Sequence, residues 1–176
     1  MVDITILMPI RNAVKTLDET LCSIKAQSVT DFELLIIDDG SVDNSMSKVH
    51  EVWGKDPRLR CLLNSGKGLV DALNMGLHES RTQYVARMDA DDVMLPQRLA
   101  KQFDRLTRDP QCDIVGCAVE SFHSQGIQKG YLEYDRWCNS LLTHEDMVRE
   151  LYVESPMPHP SVMMRRQSII DIGGYR

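Results

Sequence analysis

In ELLIIDD, residues 33–39, four large aliphatic residues run without a break into two aspartates. The run is short for a buried helix, and it lacks the polar alternation of a strand with one wet face. A strand covered on both faces fits it, and such strands belong to parallel sheets connected through helices. The neighbouring sequence repeats the pattern. Upstream, ITILMP (4–9) is followed by Leu17, Leu21 and Ile24 at helical spacing; downstream, Ser41 is placed as an N-cap before Met46, Val49 and Trp53. LRCLLN (59–64) then precedes Leu69, Leu73 and Leu77, and YVARMD (84–89) precedes Pro96, at a helix start, with Leu99, Phe103 and Leu106. DIVGC (113–117) supplies a fifth strand. The fold class is therefore α/β, a Rossmann-like, mostly parallel sheet with helices on both faces.

Beyond residue 118 the periodicity weakens. The sequence suggests an extended pair around VESFHS (119–124) and QKGYLEY (128–134), then a helix near 143–152. A Pro-rich loop ESPMPHP (154–160), a strand SVMMR (161–165) and a short helix ending at GGYR (173–176) follow. At 176 residues the chain buries a sizeable core without disulfides or structural metals. A net charge of −6 and a pI near 5.3 exclude nucleic acid as a partner, because phosphate backbones are held by clustered Lys and Arg. Cys22, Cys61, Cys112, Cys117 and Cys138 contain no C-x-x-C pair, so they read as reduced thiols of a cytoplasmic protein. No basic segment precedes the N-terminal apolar run, and no stretch approaches the ~20 apolar residues of a membrane span.

In open parallel sheets ligands bind beyond the carboxyl ends of the strands. The polar residues gather there: Pro9 to Asn12, Asp38 and Asp39, Asn64 to Lys67, and Asp89 to Asp92. Carboxylates this close repel one another and call for a neutralising partner. An Arg or Lys from a neighbouring loop, or the N-terminus of the next helix, would serve. So would a divalent cation, since hard ions take oxygen ligands and leave room for substrate phosphates. An EF-hand fails on spacing: from Asp89 position 12 is Ala100, and from Asp39 it is His50. SGKGL (65–69) lacks the upstream glycine and the Ser or Thr of a phosphate loop, although Lys67 could still reach a phosphate. A phosphoryl-accepting receiver domain fails on order, because Asp38 and Asp39 end the second strand and no Lys-Pro follows Asp92.

Taken together, ITILMPIRNAVKTLDETLCSIKAQSVTDFELLIIDDGSVDNS (4–45), NSGKGLVDALNMGL (64–77) and YVARMDADDVMLPQRLAKQ (84–102) resemble the family 2 glycosyltransferases, inverting enzymes of the GT-A fold. The resemblance runs from residue 4 to the end and rests on P-x-x-N, DDGS-x-D and D-A-D-D…P-x-R in that order. It implies a nucleotide diphosphate sugar donor, commonly a uridine diphosphate sugar, a Mn or Mg ion, and a glycan or lipid-linked acceptor in cell-surface polysaccharide synthesis. It implies residues 1–117 as the donor-binding subdomain and 118–176 as the beginning of the acceptor side, with a cytoplasmic location that allows peripheral contact with the inner membrane face. Pro9 and Asn12 are implied under the nucleoside, Asp39 as acceptor for the base, and Asp38 as a loop brace. Lys67 is a candidate phosphate contact. Asp91 is implied as the principal metal ligand, Asp89 as a ribose or water-mediated metal contact, and Asp92 as sharing either duty. The family's general base follows a GGY segment, so it is expected beyond Arg176, with Asp171 an ordinary helix-end residue. His159 is an acceptor-side candidate. A nucleotide-sugar binding module without transfer activity is the alternative reading.

Overall fold

A computed structural model describes residues 3–65, 67–123 and 126–176. These build a six-stranded sheet in the order β3-β2-β1-β4-β6-β5. The strands are β1 (Ile4–Ile10), β2 (Glu33–Asp38), β3 (Leu59–Leu63), β4 (Tyr84–Arg87), β5 (Ile114–Val115) and β6 (Met163–Arg165). Strands β1 to β4 pair in parallel, while β6 runs antiparallel to β4 and to β5. The α/β, mostly parallel sheet implied by ELLIIDD is thus present, with an antiparallel edge.

The apolar runs lack alternation because both faces of the sheet are covered. Ile4, Ile6, Met8 and Ile10 pack with Leu34 and Ile36 beneath α1 (Leu17–Lys25), α2 (Ser45–Trp53) and α4 (Arg98–Arg108). Leu7, Leu35 and Ile37 point the other way, against α3 (Leu69–Glu79) and α7 (Arg166–Asp171). Each such aliphatic side chain, fully buried, stabilises the fold by about 1.5–3 kcal/mol. Close approach of α3 to β1 depends on Gly76, where a Cβ would stand 2.1 Å from Leu7 Cδ1.

Several local expectations differ from the structure. QKGYLEY is not extended: α5 (Lys129–Ser140) covers nearly all of it, and residues 118–123 form no strand. Tyr134, Trp137 and Leu141 continue at helical spacing, and the buried Asp135 holds the preceding segment by accepting from the Ser121 N–H at 2.7 Å and its Oγ at 2.9 Å. Ser124 and Gly66 lie outside the described residues. Ser41 does not cap α2, which begins at Ser45 after Asn44. Pro96 sits two residues before α4, and its carbonyl accepts from the Ser28 N–H at 2.8 Å. The expected helix near 143–152 is α6 (His144–Glu150), with a capping box between Thr143 and Asp146. All five cysteines are free thiols, and among the described residues no helix is long and apolar enough to cross a membrane.

Candidate functional site

Successive connections carry the chain from β1 to β2 and β3 on one side, then back across to β4 on the other. At that reversal the loops after β1 and β4 part and leave a crevice, the place where open parallel sheets bind ligands. Two adjoining cavities occupy it. One, of about 250 Å³, is lined by Pro9, Ile10, Arg11, Asp39, Gly68 and Leu69. The other, of about 500 Å³, runs past Asn12, Lys15 and Asp43 to Asp89, Ala90 and Asp91, and shares Pro9 and Arg11 with the first. The strand-end groups after β1, β2 and β4 therefore meet along one groove.

Asp39 forms the floor of the smaller cavity. Its Oδ1 accepts from Asn64 Nδ2 at 2.7 Å and from the Gly68 N–H at 3.0 Å, while Arg11 Nη1 reaches Oδ2 at 3.2 Å. Burial pushes the Asp39 carboxyl up, but the Gly68, Asn64 and Arg11 donors outweigh it and hold the pKa below the ordinary carboxylate value. The Arg11 side chain is 58% exposed, so it is the partner of Asp39 that a ligand can displace. Asp38 instead closes the turn, its Oδ1 accepting the Ser41 N–H at 2.9 Å. Asn12, at φ 52°, also acts as a brace, with its Oδ1 accepting the Val42 N–H at 2.9 Å and its own N–H donating to Ser41 Oγ at 3.1 Å. Asp43 and Ser45 finish the clasp through the N–H groups of Val14 and Ala13 at 3.2 and 2.8 Å.

On the opposite side, Asp89 and Asp91 line the groove just past β4. Arg87, only 3% exposed, ends that strand, and its Nη1 lies 2.6 Å from Asp89 Oδ2. The contact lacks hydrogen-bond alignment, and among the described residues Arg87 Nε also has no hydrogen-bond partner, so the attraction between Arg87 and Asp89 is that of an ion pair. Asp91 is exposed at the rim. Asp92 lines neither cavity; burial, reinforced by the charges of Asp89 and Asp91, pushes its pKa up to about 6. Among the described residues no three His, Cys, Asp or Glu side chains converge as a closed metal cage. Two groove-facing carboxylates with open positions nonetheless suit Mg or Mn, which keep waters and take substrate phosphate oxygens.

Of the remaining sequence candidates, Lys67 is exposed and lines neither cavity. His159 opens a 3₁₀ turn (His159–Ser161) before β6, its ring edge-on to Tyr175 at 6.1 Å, away from the groove lining. Asp171 ends α7 and accepts from Gln167 Nε2 at 2.7 Å. Arg11 and Asn64, which the sequence placed only within the strand-end polar groups, are the side-chain partners of Asp39. The distal part of D-A-D-D…P-x-R also acquires a role: Arg98 Nη2 donates to the carbonyl of Arg87 at 2.8 Å, tying α4 to the strand that carries the acidic loop.

A Rossmann-like, mostly parallel sheet whose strand-end groove is lined by Asp39 on one side and by Asp89 and Asp91 on the other defines the class as an α/β protein with an acidic crevice. The glycosyl transferase family 2 model matches residues 5–173, and the chain belongs to that family. It is 30% identical over 160 residues to the UDP-Gal:alpha-D-GlcNAc-diphosphoundecaprenol beta-1,3-galactosyltransferase of Escherichia coli, covering 90% of this chain and 56% of that protein. Identity to the amylovoran biosynthesis glycosyltransferase AmsE of Erwinia amylovora is 29% over 163 residues, covering 92% of this chain and 59% of that protein. The chain thus spans just over half the length of these relatives. In fold it is similar to a Pyrobaculum calidifontis mannosyltransferase in complex with GDP-Man and Mn2+, with a TM-score of 0.74 at 20% identity, over 98% of this chain and 47% of that one. Likeness to S. aureus TarS 1-349 in complex with UDP-GlcNAc is comparable, with a TM-score of 0.75 at 19% identity over 98% and 48%.

Proposed function

We propose that the chain provides the donor site of a metal-dependent, inverting sugar transferase that takes a sugar from a nucleotide diphosphate to a glycan or lipid-linked acceptor in polysaccharide synthesis. One observation carries the reading: the Asp39 cavity and the Asp89 and Asp91 groove are a single crevice joined at Pro9 and Arg11. In this reading the base enters the smaller cavity, where Asp39 Oδ2 exchanges Arg11 for an imide N–H, a donor that uracil offers. Asn64 and Gly68 keep Asp39 ionised and aimed while that exchange takes place. Asp91, helped by Asp89, holds Mn or Mg against the diphosphate. Such an ion supplies Lewis acidity to a leaving group whose negative charge grows as the anomeric C–O bond breaks. Inversion also needs a general base within hydrogen-bond reach of the acceptor hydroxyl, and Asp171, bonded to Gln167 on α7, is not given that role.

Calorimetric titration with uridine diphosphate, in Mn and then in a chelator, tests the reading. Binding is expected to be much tighter in Mn. A folded protein that binds the nucleotide in neither condition overturns the donor site.

A further inference from the structure

The loop between β4 and α4, residues 88–97, carries Asp89, Asp91 and Asp92 yet has no regular secondary structure of its own. Several of its backbone groups are met by side chains of α1 and the residues flanking it, far earlier in the sequence. The carbonyl of Ala90, the residue between Asp89 and Asp91, accepts from Thr16 Oγ1 at 2.8 Å and Thr20 Oγ1 at 3.1 Å. The Met94 N–H donates to Ser23 Oγ at 3.1 Å. Gln27 Nε2 donates to the carbonyls of Met94 and Leu95 at 3.3 and 2.9 Å, and Gln27 Oε1 accepts the Leu99 N–H at 3.2 Å. Thr16, Thr20, Ser23 and Gln27 recur at the spacing of one helix face, between the apolar residues Leu17, Leu21 and Ile24. Thr20 is fully buried and Gln27 is 4% exposed.

We propose that this polar stripe is the positioning device of the acidic loop, and that α1 sets the separation between the nucleoside and metal halves of the groove. The residues leading into α1 are clasped by Ser41, Asp43 and Ser45 on the Asp39 side, and the stripe itself holds the carbonyl between Asp89 and Asp91 on the other. A nine-residue helix flexes little, so its two polar contacts fix two loops relative to each other. Apolar residues at the same positions would fill the space but leave the Ala90 and Met94 backbone groups unpaired, and the loop would then rearrange to reach water. Thr20 is thus a positioning residue that acts through Ala90 on Asp89 and Asp91.

This inference rests on the donor-site reading, and the test separates the two. Thr20→Val keeps shape and removes the hydroxyl; Thr20→Ser restores it. Amide hydrogen exchange is measured on the metal-free protein, and uridine diphosphate titrations are run in Mn and in chelator. Thr20→Val is expected to speed exchange at residues 88–95 by about tenfold, with β1 and β2 unchanged. It is also expected to cut the gain in affinity from Mn by about fivefold or more, with Thr20→Ser behaving as the parent. Unchanged loop exchange, or equal loss of affinity with and without Mn, overturns the proposal. If Thr20→Val does not fold, Gln27→Met, which frees the other end of the loop, is put through the same comparison. A parent protein that ignores the nucleotide in Mn refutes the donor site, while loop exchange still decides whether the stripe holds the loop.

Discussion

Adjacent aspartates in this chain do opposite work. Asp38, the last residue of β2, turns inward and accepts the Ser41 N–H, whereas Asp39, one residue on, faces the cavity and collects three donors from two loops. The same division recurs after β4, where Asp89 is tied to Arg87, Asp91 stands exposed at the groove and Asp92 is set back. Exposure makes Asp91 the cleanest position for a mutational test. Asp91→Asn removes one charge from the proposed metal site but no packing, so its unfolding free energy is expected to stay within about 0.5 kcal/mol of the parent. Nucleotide affinity in Mn should fall by at least about tenfold while affinity in chelator holds, as calorimetry would record. An unchanged dissociation constant in Mn would remove Asp91 from the metal site.

Among the helices, α3 and α5 form against their local preferences for different reasons. Gly76 lies in the middle of α3, where helix propensity alone favours alanine by about 1 kcal/mol. A Cβ at that position would enter the space of three Leu7 side-chain carbons, at 2.1, 2.8 and 3.0 Å, in a fully buried core. Overpacking of this kind costs about 1–3 kcal/mol and exceeds the propensity gain, so Gly76→Ala is expected to lower the urea midpoint. Gly174, at φ 73°, is constrained both ways, because a Cβ would stand 2.4 Å from the Asn74 Oδ1 that accepts the Tyr175 N–H. These glycines look like turn or propensity defects in the sequence, and packing explains them. In α5 the opposite happens: KGYLEY carries two tyrosines and a glycine, which favour strand or turn locally, and the helix forms because Asp135, Cys138 and Asn139 find partners on one face.

Across the domain, the entry to β3 is locked by Arg58. Its guanidinium donates to Asp56 at 2.7 Å, donates to the Thr30 carbonyl, and stacks over Phe32 and Trp53 at 4.8 and 5.1 Å. The Arg58 hydrogen bonds hold the Asp56 pKa at about 2, below its ordinary 3.8, despite the opposing effect of burial. A carboxyl with a depressed folded-state pKa stabilises the fold fully above its unfolded value and loses that contribution as pH falls toward 2. Discounted for solvent screening, the contribution is about 1–2 kcal/mol. Asp56→Asn is therefore expected to be less stable than the parent by that amount at pH 6, with the difference vanishing near pH 2 in urea titrations followed by circular dichroism. The class of fold, the strand ends where polar groups collect, and the grouping of Pro9, Asp39, Asp89 and Asp91 could all be read from residues alone, because burial on both faces and strand-end chemistry leave a periodic, local signature. The antiparallel β6, the pairing of Arg11 and Asn64 with Asp39, and the grip of α1 on the acidic loop had no such signature. They join residues 25 to 81 positions apart, and it was packing in three dimensions that chose those partners among many of equal local merit.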